Sequence, residues 1–243
     1  MKYKIIIPAR LKSSRLPGKP LVMIDGIPML QRTYERCTLS VEQEEIIVAT
    51  DHSSIESFCL DNNIKVVMTS EECLTGTDRV AEAANDMDID FAINVQGDEP
   101  LINPKDITLM IEAANNGPYH VYAGYAEITN ENDFFNVSVP KVIVNENEEL
   151  IYMSRAPIPF NKESKFITAW RQICVYAFSK EALNLFYSRS KKSKIENIED
   201  IELLRFLEMG IKVKMIKLSS DSIAVDHPED ILKVENAIRA NSK

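Results

Sequence analysis

Glycine is scarce in this chain: there are seven in 243 residues, and none builds a G-x-G-x-x-G or a G-x-x-x-x-G-K-S/T loop. A nucleotide bound here must be held by side chains more than by a glycine-rich cradle. Cysteine is limited to Cys37, Cys59, Cys73 and Cys174, widely spaced and without a C-x-x-C pair, and histidine to His52, His120 and His227. That inventory speaks against a zinc site and against catalysis by cysteine, and it predicts reduced, mostly buried thiols. No stretch approaches the roughly 20 apolar residues of a membrane span, and the first isoleucine run is too short for a signal-peptide core; a cytoplasmic protein is expected. Basic residues are outnumbered as well, with 28 Lys and Arg against 37 Asp and Glu and a formal charge of −9. Neither general nucleic-acid binding nor membrane-surface binding fits, since both need a broad basic face. The length suits one large domain, or one with a smaller lobe.

What is present is a local exception to that acidity. Ile5 to Ile7 reads as a short buried strand stopped at Pro8, and the residues after it carry Arg10, Lys12, Arg15 and Lys19 among Ser13, Ser14 and Gly18. Strand, cationic turn and helix is how open α/β sheets build polyanion sites outside the carboxyl ends of their strands. Arg and Lys both suit phosphate oxygens. A solvated basic loop is the alternative. Thr75-Gly-Thr-Asp-Arg79 precedes a helix that Thr77 or Asp78 would cap, and its first N–H groups, hydroxyls and Arg79 would receive an anion or a base edge. A plain cap accounts for that stretch equally well. Gln96-Gly-Asp-Glu-Pro100 follows an apolar strand, Asp90 to Val95, and puts a carboxylate pair at its carboxyl end. Mg2+ takes one or two carboxylates together with substrate phosphates. Asp226 follows the apolar Ile223-Ala-Val, read as a short strand, in the same manner, so Asp98 and Asp226 would share one divalent ion. A helix cap ahead of Pro228 competes for Asp226.

The order of elements predicts the class. Strands at Glu45 to Thr50 and Ile64 to Met68 alternate with helices at Pro28 to Thr38 and Ser53 to Asn62. This α/β start calls for a parallel sheet with right-handed crossovers. From Tyr119 the pattern changes, with strands at Val121 to Ile128 and Val139 to Val144, a polar turn at Asn145 to Glu149, and a proline-rich extended segment carrying Ser154 and Arg155. Ile173 to Phe178 reads as a strand and Lys180 to Tyr187 as a helix. Glu199 to Met209 reads as one acidic helix with Ile201, Leu204 and Leu207 inward, and Ile211 to Lys217 as a strand. The expected architecture is a single α/β domain, 1–243, with an inserted α+β lobe at about 120–195.

Taken together, six stretches resemble the 3-deoxy-manno-octulosonate (Kdo) cytidylyltransferases, the CMP-Kdo synthetases. They are Pro8-Ala-Arg10 through Arg15-Leu-Pro-Gly-Lys-Pro-Leu21, Val48-Ala-Thr-Asp51, Met68-Thr-Ser with Thr75 to Arg79, Asn94 to Pro100, Ser154-Arg-Ala-Pro-Ile-Pro159 and Val225 to Asp230. They stand in family order over nearly the whole chain, whereas the neighbouring CMP-sialate synthetases resemble only the first, more loosely. The resemblance implies a Rossmann-like nucleotidyltransferase sheet with helices on both faces, and a lobe that closes over the sugar and forms a homodimer. It implies Mg2+-dependent cytidylyl transfer from CTP to an acidic 3-deoxy sugar, giving CMP-Kdo and pyrophosphate for lipopolysaccharide biosynthesis. By the same resemblance the nucleotide falls to Ala9, Arg10, Arg15, Lys19, Thr75, Gly76 and Asp98, of which Lys19, Arg10 and Asp98 are catalytic. The metal falls to Asp98 and Asp226, and the sugar to Arg79, Gln96, Gln172, Tyr176, Glu199 and Glu202.

Two places depart from the family pattern. Its H-x-G-x-Y reads Gln172-Ile-Cys-Val-Tyr176 here, and its E-x-L-E-Q-L-R reads Glu199-Asp-Ile-Glu-Leu-Leu-Arg205, with Asp200 added and Leu203 where glutamine is usual. Both fall on the sugar side, so they bear on the acceptor and leave the transfer chemistry intact. Kdo is the acceptor the resemblance implies first. An 8-amino analogue, whose ammonium would use the added acidity, is the alternative. The rival class is a non-catalytic nucleotide-binding relative, and the rival enzyme one that uses a nine-carbon sialic-type sugar. Intact Lys19, Asp98 and Asp226 speak against the first, and Gln96 to Pro100 against the second.

Overall fold

Three consecutive isoleucines cannot all face one side of a strand. In the computed structural model of the chain, which describes residues 1–12 and 16–241, Ile6 packs into one apolar cluster and Ile5 and Ile7 into another. All three are fully buried, so β1 (Tyr3–Ala9) is covered on both faces. A small hairpin follows, β2 (Met23–Ile24) and β3 (Ile27–Pro28), closed by Asp25 and Gly26 at φ 46 and 79. Then come α1 (Met29–Thr38), β4 (Ile46–Thr50), α2 (Ser53–Asp61), β5 (Val66–Met68), α3 (Gly76–Ala84), β6 (Phe91–Val95) and α4 (Pro104–Asn116). The second half adds β7 (Val121–Glu127), α5 (Glu131–Phe135), β8 (Lys141–Val144), β9 (Leu150–Ser154), β10 (Trp170–Ser179) and α6 (Lys180–Tyr187). It closes with α7 (Lys194–Glu199), α8 (Leu203–Glu208), β11 (Val213–Lys217) and α9 (Pro228–Asn241).

The main sheet runs in the order β11-β7-β10-β6-β1-β4-β5. Along this path every neighbouring pair is parallel except the two that involve β10. The two apolar clusters lie on opposite faces, as the alternation along β1 requires. Val80 of α3, Phe186 of α6 and Phe206 of α8 belong to one, and Leu30 of α1, Ile55 of α2 and Met110 of α4 to the other. The α/β class with helices on both faces therefore holds. From β1 the chain moves outward through β4 and β5, then returns to place β6 on the other side of β1. That reversal opens a crevice at the carboxyl ends of β1 and β6, where ligands of such sheets bind.

Three expectations change. Within the segment 120–195, read as an inserted lobe, β7 and β10 are full members of the main sheet; the part that stands off it is the β8–β9 hairpin, attached at the start of β10. The small residues Ala123 and Gly124 let β7 be buried along Val121 to Ala126, and a Cβ on Gly124 would fall 2.5 Å from a Leu218 methyl. The acidic helix is two helices, α7 and α8, separated by Asp200 in the left-handed conformation at φ 51. Tertiary anchors on Glu199 and Glu202, described below, override the helical propensity of the run. The break also turns Leu203 and Leu204 into the core and leaves Leu207 only half-buried. Finally, Ile223 to Val225 is extended but forms no strand. Among the described residues no helix is long and apolar enough to cross a membrane.

Candidate active site

The crevice is built by close backbone approach. After β6 the chain turns at Gly97, where a Cβ would sit 3.1 Å from the Pro8 carbonyl at the end of β1. Glycine lets the two strand ends meet there, and the Thr33 hydroxyl donates to the Gly97 carbonyl at 3.2 Å. The next carbonyl, that of Asp98, accepts the N–H of Val225 at 3.0 Å. This one bond lays the 223–226 segment beside the β6 turn and brings Asp226 to Asp98. Lys19 joins them from the connection that follows β1, on a short 3-10 turn entered through Gly18 at φ 69. Its ammonium donates to Asp98 Oδ2 at 2.7 Å and to Asp226 Oδ1 at 3.2 Å. Burial works against the Lys19 charge, but the two carboxylates outweigh it and raise its pKa above the ordinary lysine value.

Two cavities meet at this triad. The smaller, about 250 Å³, is bordered by Ala9, Arg10, Lys19, Thr75, Gly76 and Arg79. The larger, about 460 Å³, runs toward β10 and is bordered by Glu99, Arg171, Gln172 and Tyr176. Gln96, Asp98, Arg155, Asp200, Glu202 and Asp226 line both. The residues expected at a nucleotide thus share one cavity, apart from Arg15, which lies outside the described residues. The smaller cavity opens onto cations and the larger onto carboxylates, with Lys19, Asp98 and Asp226 at the junction.

The residues expected at the sugar divide. Gln96, Gln172, Tyr176 and Glu202 do border the larger cavity. The Gln172 amide donates to the Tyr176 hydroxyl, and burial, with Cys174 alongside, pushes that phenol far above its usual range. Arg79 instead borders the smaller cavity. Its guanidinium is committed to Asp51 at 2.7 Å, to the Thr69 hydroxyl and to the Ser70 carbonyl. Glu199 borders neither cavity: it accepts from the Ser154 hydroxyl at 2.7 Å, the Tyr152 hydroxyl at 3.2 Å and the Arg155 N–H at 2.9 Å. It fixes the end of β9, which carries Arg155 to the junction.

The start of α3 also differs from expectation. Thr75, not Thr77 or Asp78, is its cap: the Thr75 hydroxyl accepts the Asp78 N–H at 3.1 Å. The anion at this helix start belongs to the protein itself. The Glu202 carboxylate accepts the N–H groups of Gly76 at 3.0 Å and Thr77 at 2.9 Å, and also the Thr77 hydroxyl. Burial raises the Glu202 pKa and these hydrogen bonds pull it back only in part. Gly76 packs closely there, since a Cβ would lie 3.0 Å from the Gln96 side-chain nitrogen and that side chain would have to shift.

The sequence assigned no role to Arg155 or Arg171, and Glu99 entered only as half of the carboxylate pair after β6. Arg155 lies in the Ser154 to Pro159 stretch that resembles the family and so carried a signal, whereas Arg171 carried none. As for a metal, Asp98 and Asp226 converge on a single ammonium, offer only oxygen and are part-exposed, with side chains 27% and 24% accessible. Among the described residues no group of three or more His, Cys, Asp and Glu could hold an ion unaided. Two carboxylates with the rest of the shell open suit Mg2+, which keeps waters and substrate phosphates as its other ligands.

Comparison with known proteins agrees with this geometry. The sequence profile of the cytidylyltransferase family matches residues 4–216. Two relatives named 8-amino-3,8-dideoxy-manno-octulosonate cytidylyltransferase come from Shewanella baltica (strain OS185) and Shewanella oneidensis. They are 37% identical over 243 residues and 38% over 244, each alignment covering 98% of this chain and 99% of the relative. A solved CMP:2-keto-3-deoxy-manno-octonic acid synthetase complexed with CTP is 32% identical, with a TM-score of 0.89 over 99% of this chain and 100% of that one. The inositol-1-phosphate CTP transferase of T. maritima, 16% identical with a TM-score of 0.67 over 98% of this chain and 95% of that one, shares the fold alone. With nearly end-to-end matches on both counts, this chain is a nucleotidyltransferase: it belongs to the cytidylyltransferase family, among the octulosonate cytidylyltransferases.

Proposed function

We propose that this enzyme transfers the cytidylyl group of CTP to a 3-deoxy-manno-octulosonate bearing an amino group at C8, releasing pyrophosphate and a CMP-sugar for lipopolysaccharide assembly. The observation that carries the choice of acceptor is the charge of the larger cavity. Seven of its lining side chains are carboxylates, against three cations, Arg155, Arg171 and Lys233. A C8 hydroxyl needs no such surplus, whereas a C8 ammonium does. Gln172, standing where the family pattern has histidine, borders this cavity, so the acceptor side departs from that pattern where it faces the sugar. The names of the two Shewanella relatives support the same reading. The unmodified octulosonate is the second reading, supported by the name of the 32% identical synthetase.

The anomeric hydroxyl attacks the α-phosphate; the new O–P bond forms as the bond to pyrophosphate breaks, and the hydroxyl proton is released. Such transfer is carried mainly by positioning and charge neutralisation. Arg10, at the open end of β1, meets the outer phosphates. Lys19 meets the charge that builds on the α-phosphate once a phosphate offers its ammonium a partner in place of the carboxylates. Asp98 and Asp226 would hold Mg2+, which when bound neutralises phosphate oxygens. Assembly of all three groups argues against a non-catalytic relative. The homodimer we propose uses the exposed apolar group Phe135, Val137, Phe160 and Ile167 beside α5, where the Phe135 and Phe160 rings lie 6.5 Å apart.

Pyrophosphate release with CTP and Mg2+, offering the 8-amino sugar and the unmodified sugar in parallel, tests the function. A higher kcat/KM for the amino sugar is expected. Preference for the unmodified sugar moves the acceptor to the second reading, and no release with either overturns the proposal.

A further inference from the structure

We infer that Arg171 receives the carboxylate of the acceptor. This rests on the reading of the acceptor as a 2-ulosonic acid, in which the carboxylate is bonded to the same carbon as the attacking hydroxyl. Its partner must therefore lie close to the junction of the two cavities. An anion entering a cavity so rich in carboxylates also needs a cation with capacity to spare.

Of the three cations on the larger cavity, two are spent. Arg155 gives Nε to the Glu199 carbonyl at 2.5 Å, Nη1 to the Val137 carbonyl at 3.0 Å and Nη2 to the Asp200 carbonyl at 3.0 Å. Lys233 pairs with Asp230 at 2.7 Å, out where its own side chain is 60% exposed. Arg171 uses Nη2 alone, donating to the Ser220 carbonyl at 2.9 Å and the Ser222 carbonyl at 3.0 Å. Its Nε and Nη1 take no protein partner among the described residues, and the whole charge of the guanidinium remains uncompensated by direct contact.

Its position suits the role. The Ser222 hydroxyl donates to Glu99, the buried neighbour of Asp98. Burial and then Asp98 raise the Glu99 pKa, and the Arg171 charge is felt there in the opposite sense. Arg171 thus reaches the residue next to the junction, from the side of the larger cavity. The two carbonyls engage Nη2 alone, so the guanidinium offers its charge and its remaining N–H donors to the ligand.

The competing role is mechanical, since Arg171 also straps the 220–222 loop that leads to Asp226. A substrate-by-mutant cycle separates the two: kcat/KM from pyrophosphate release is measured for wild type, Arg171→Lys and Arg171→Gln, with the sugar acid and with its C1 carboxamide. Wild type should prefer the acid by about 10- to 100-fold, the usual range for a hydrogen bond to a charged group. Arg171→Gln should lose that preference, through the KM for sugar and not for CTP, while amide turnover changes less than about threefold. Arg171→Lys, which keeps the charge, should retain part of the preference and serves if the glutamine variant does not fold. Equal losses on acid and amide, or no preference in wild type, overturn the assignment. Absence of turnover by wild type with every acceptor instead overturns the function proposed above.

Discussion

Replacing Arg205 by Met should unfold this enzyme at a markedly lower temperature, and the reason can be worked from four elements. Arg205 of α8 is fully buried. It binds Glu196 of α7 twice, at 2.7 and 2.6 Å, and Asp78 of α3 at 2.8 and 3.3 Å. Its guanidinium lies 3.6 Å from the centre of the Phe186 ring of α6. Methionine fills much of the volume but leaves two carboxylates, 0% and 3% exposed, without their cation. Removing one partner of a buried ion pair costs about 3–5 kcal/mol. In a domain of this size each kcal/mol is worth about 2–4 °C, so the Tm should fall by on the order of 10 °C. Asp78 also accepts the Thr75 hydroxyl at 2.6 Å, so the KM for CTP should rise in assays run well below the new Tm. Circular dichroism melting of Arg205→Met and of the triple variant with Asp78→Asn and Glu196→Gln gives the test. The triple variant should recover more than half of the loss, because the uncompensated charge is what costs stability. A fall of less than about 3 °C, or a triple variant no better than the single one, refutes the reasoning.

Lys19→Met should lower kcat by about 100- to 1,000-fold, the usual loss when a charge-stabilising donor is removed from a transition state. It should also strengthen Mn2+ binding measured by calorimetry without nucleotide, since the ammonium no longer occupies Asp98 and Asp226; unchanged or weaker binding counts against that view. Glu202→Gln should lower the ratio of kcat/KM for amino over unmodified sugar by about tenfold, and a ratio that stays put shows that the ammonium is recognised elsewhere. Glu149 is held down to about 2 by hydrogen bonds from Lys212, Asn145 and Tyr119, in that order of effect. A carboxylate with a lowered folded pKa stabilises the fold above its unfolded value and loses that contribution as pH falls through the folded one. The Tm gap between wild type and Glu149→Gln should therefore be constant above about pH 5 and close between pH 4.5 and 2; a gap that persists at pH 2 contradicts it.

The junction of Lys19, Asp98 and Asp226 was legible because Asp98 sits where the chain ends a strand and the other two sit in turns beyond short apolar runs. Asp98 follows the glycine that ends an apolar run, Lys19 follows Gly18 after another, and short strands in an α/β order place such ends on one edge. What the sequence does not carry is which partner a carboxylate has chosen. Glu199 and Glu202 lie in the same acidic run, yet one anchors β9 and the other accepts the first N–H groups of α3, and the helix breaks at Asp200 between them. Thr77 and Asp78 were the cap candidates, yet Thr75 takes the Asp78 N–H, and Glu202, remote in sequence, occupies the N–H groups of Gly76 and Thr77. The segment 120–195 misled for a related reason. Its polar turns and prolines suggested an inserted lobe, but β7 and β10 are buried strands that pair with each other and, on their outer sides, with β11 and β6 of the main sheet.

The double use of Glu202 ties the two halves of the site together. Its carboxylate borders both cavities while accepting three donors from the start of α3. Any acceptor that recruits Glu202 must share it with that helix end, whose aligned N–H groups already favour a negative charge. A neutral hydroxyl adds one more ordinary hydrogen bond to a carboxylate that is nearly satisfied. An ammonium adds a full positive charge where burial has left the carboxylate poorly stabilised, and so gains where the hydroxyl does not. On the function proposed above, the same exchange would apply at Lys19, which holds Asp98 and Asp226 until a phosphate offers its ammonium a partner. On that reading the site's groups are engaged by one another until a substrate of opposite charge replaces them, and an acidic protein would draw an anionic nucleotide to one cavity and a cation-bearing sugar to the other.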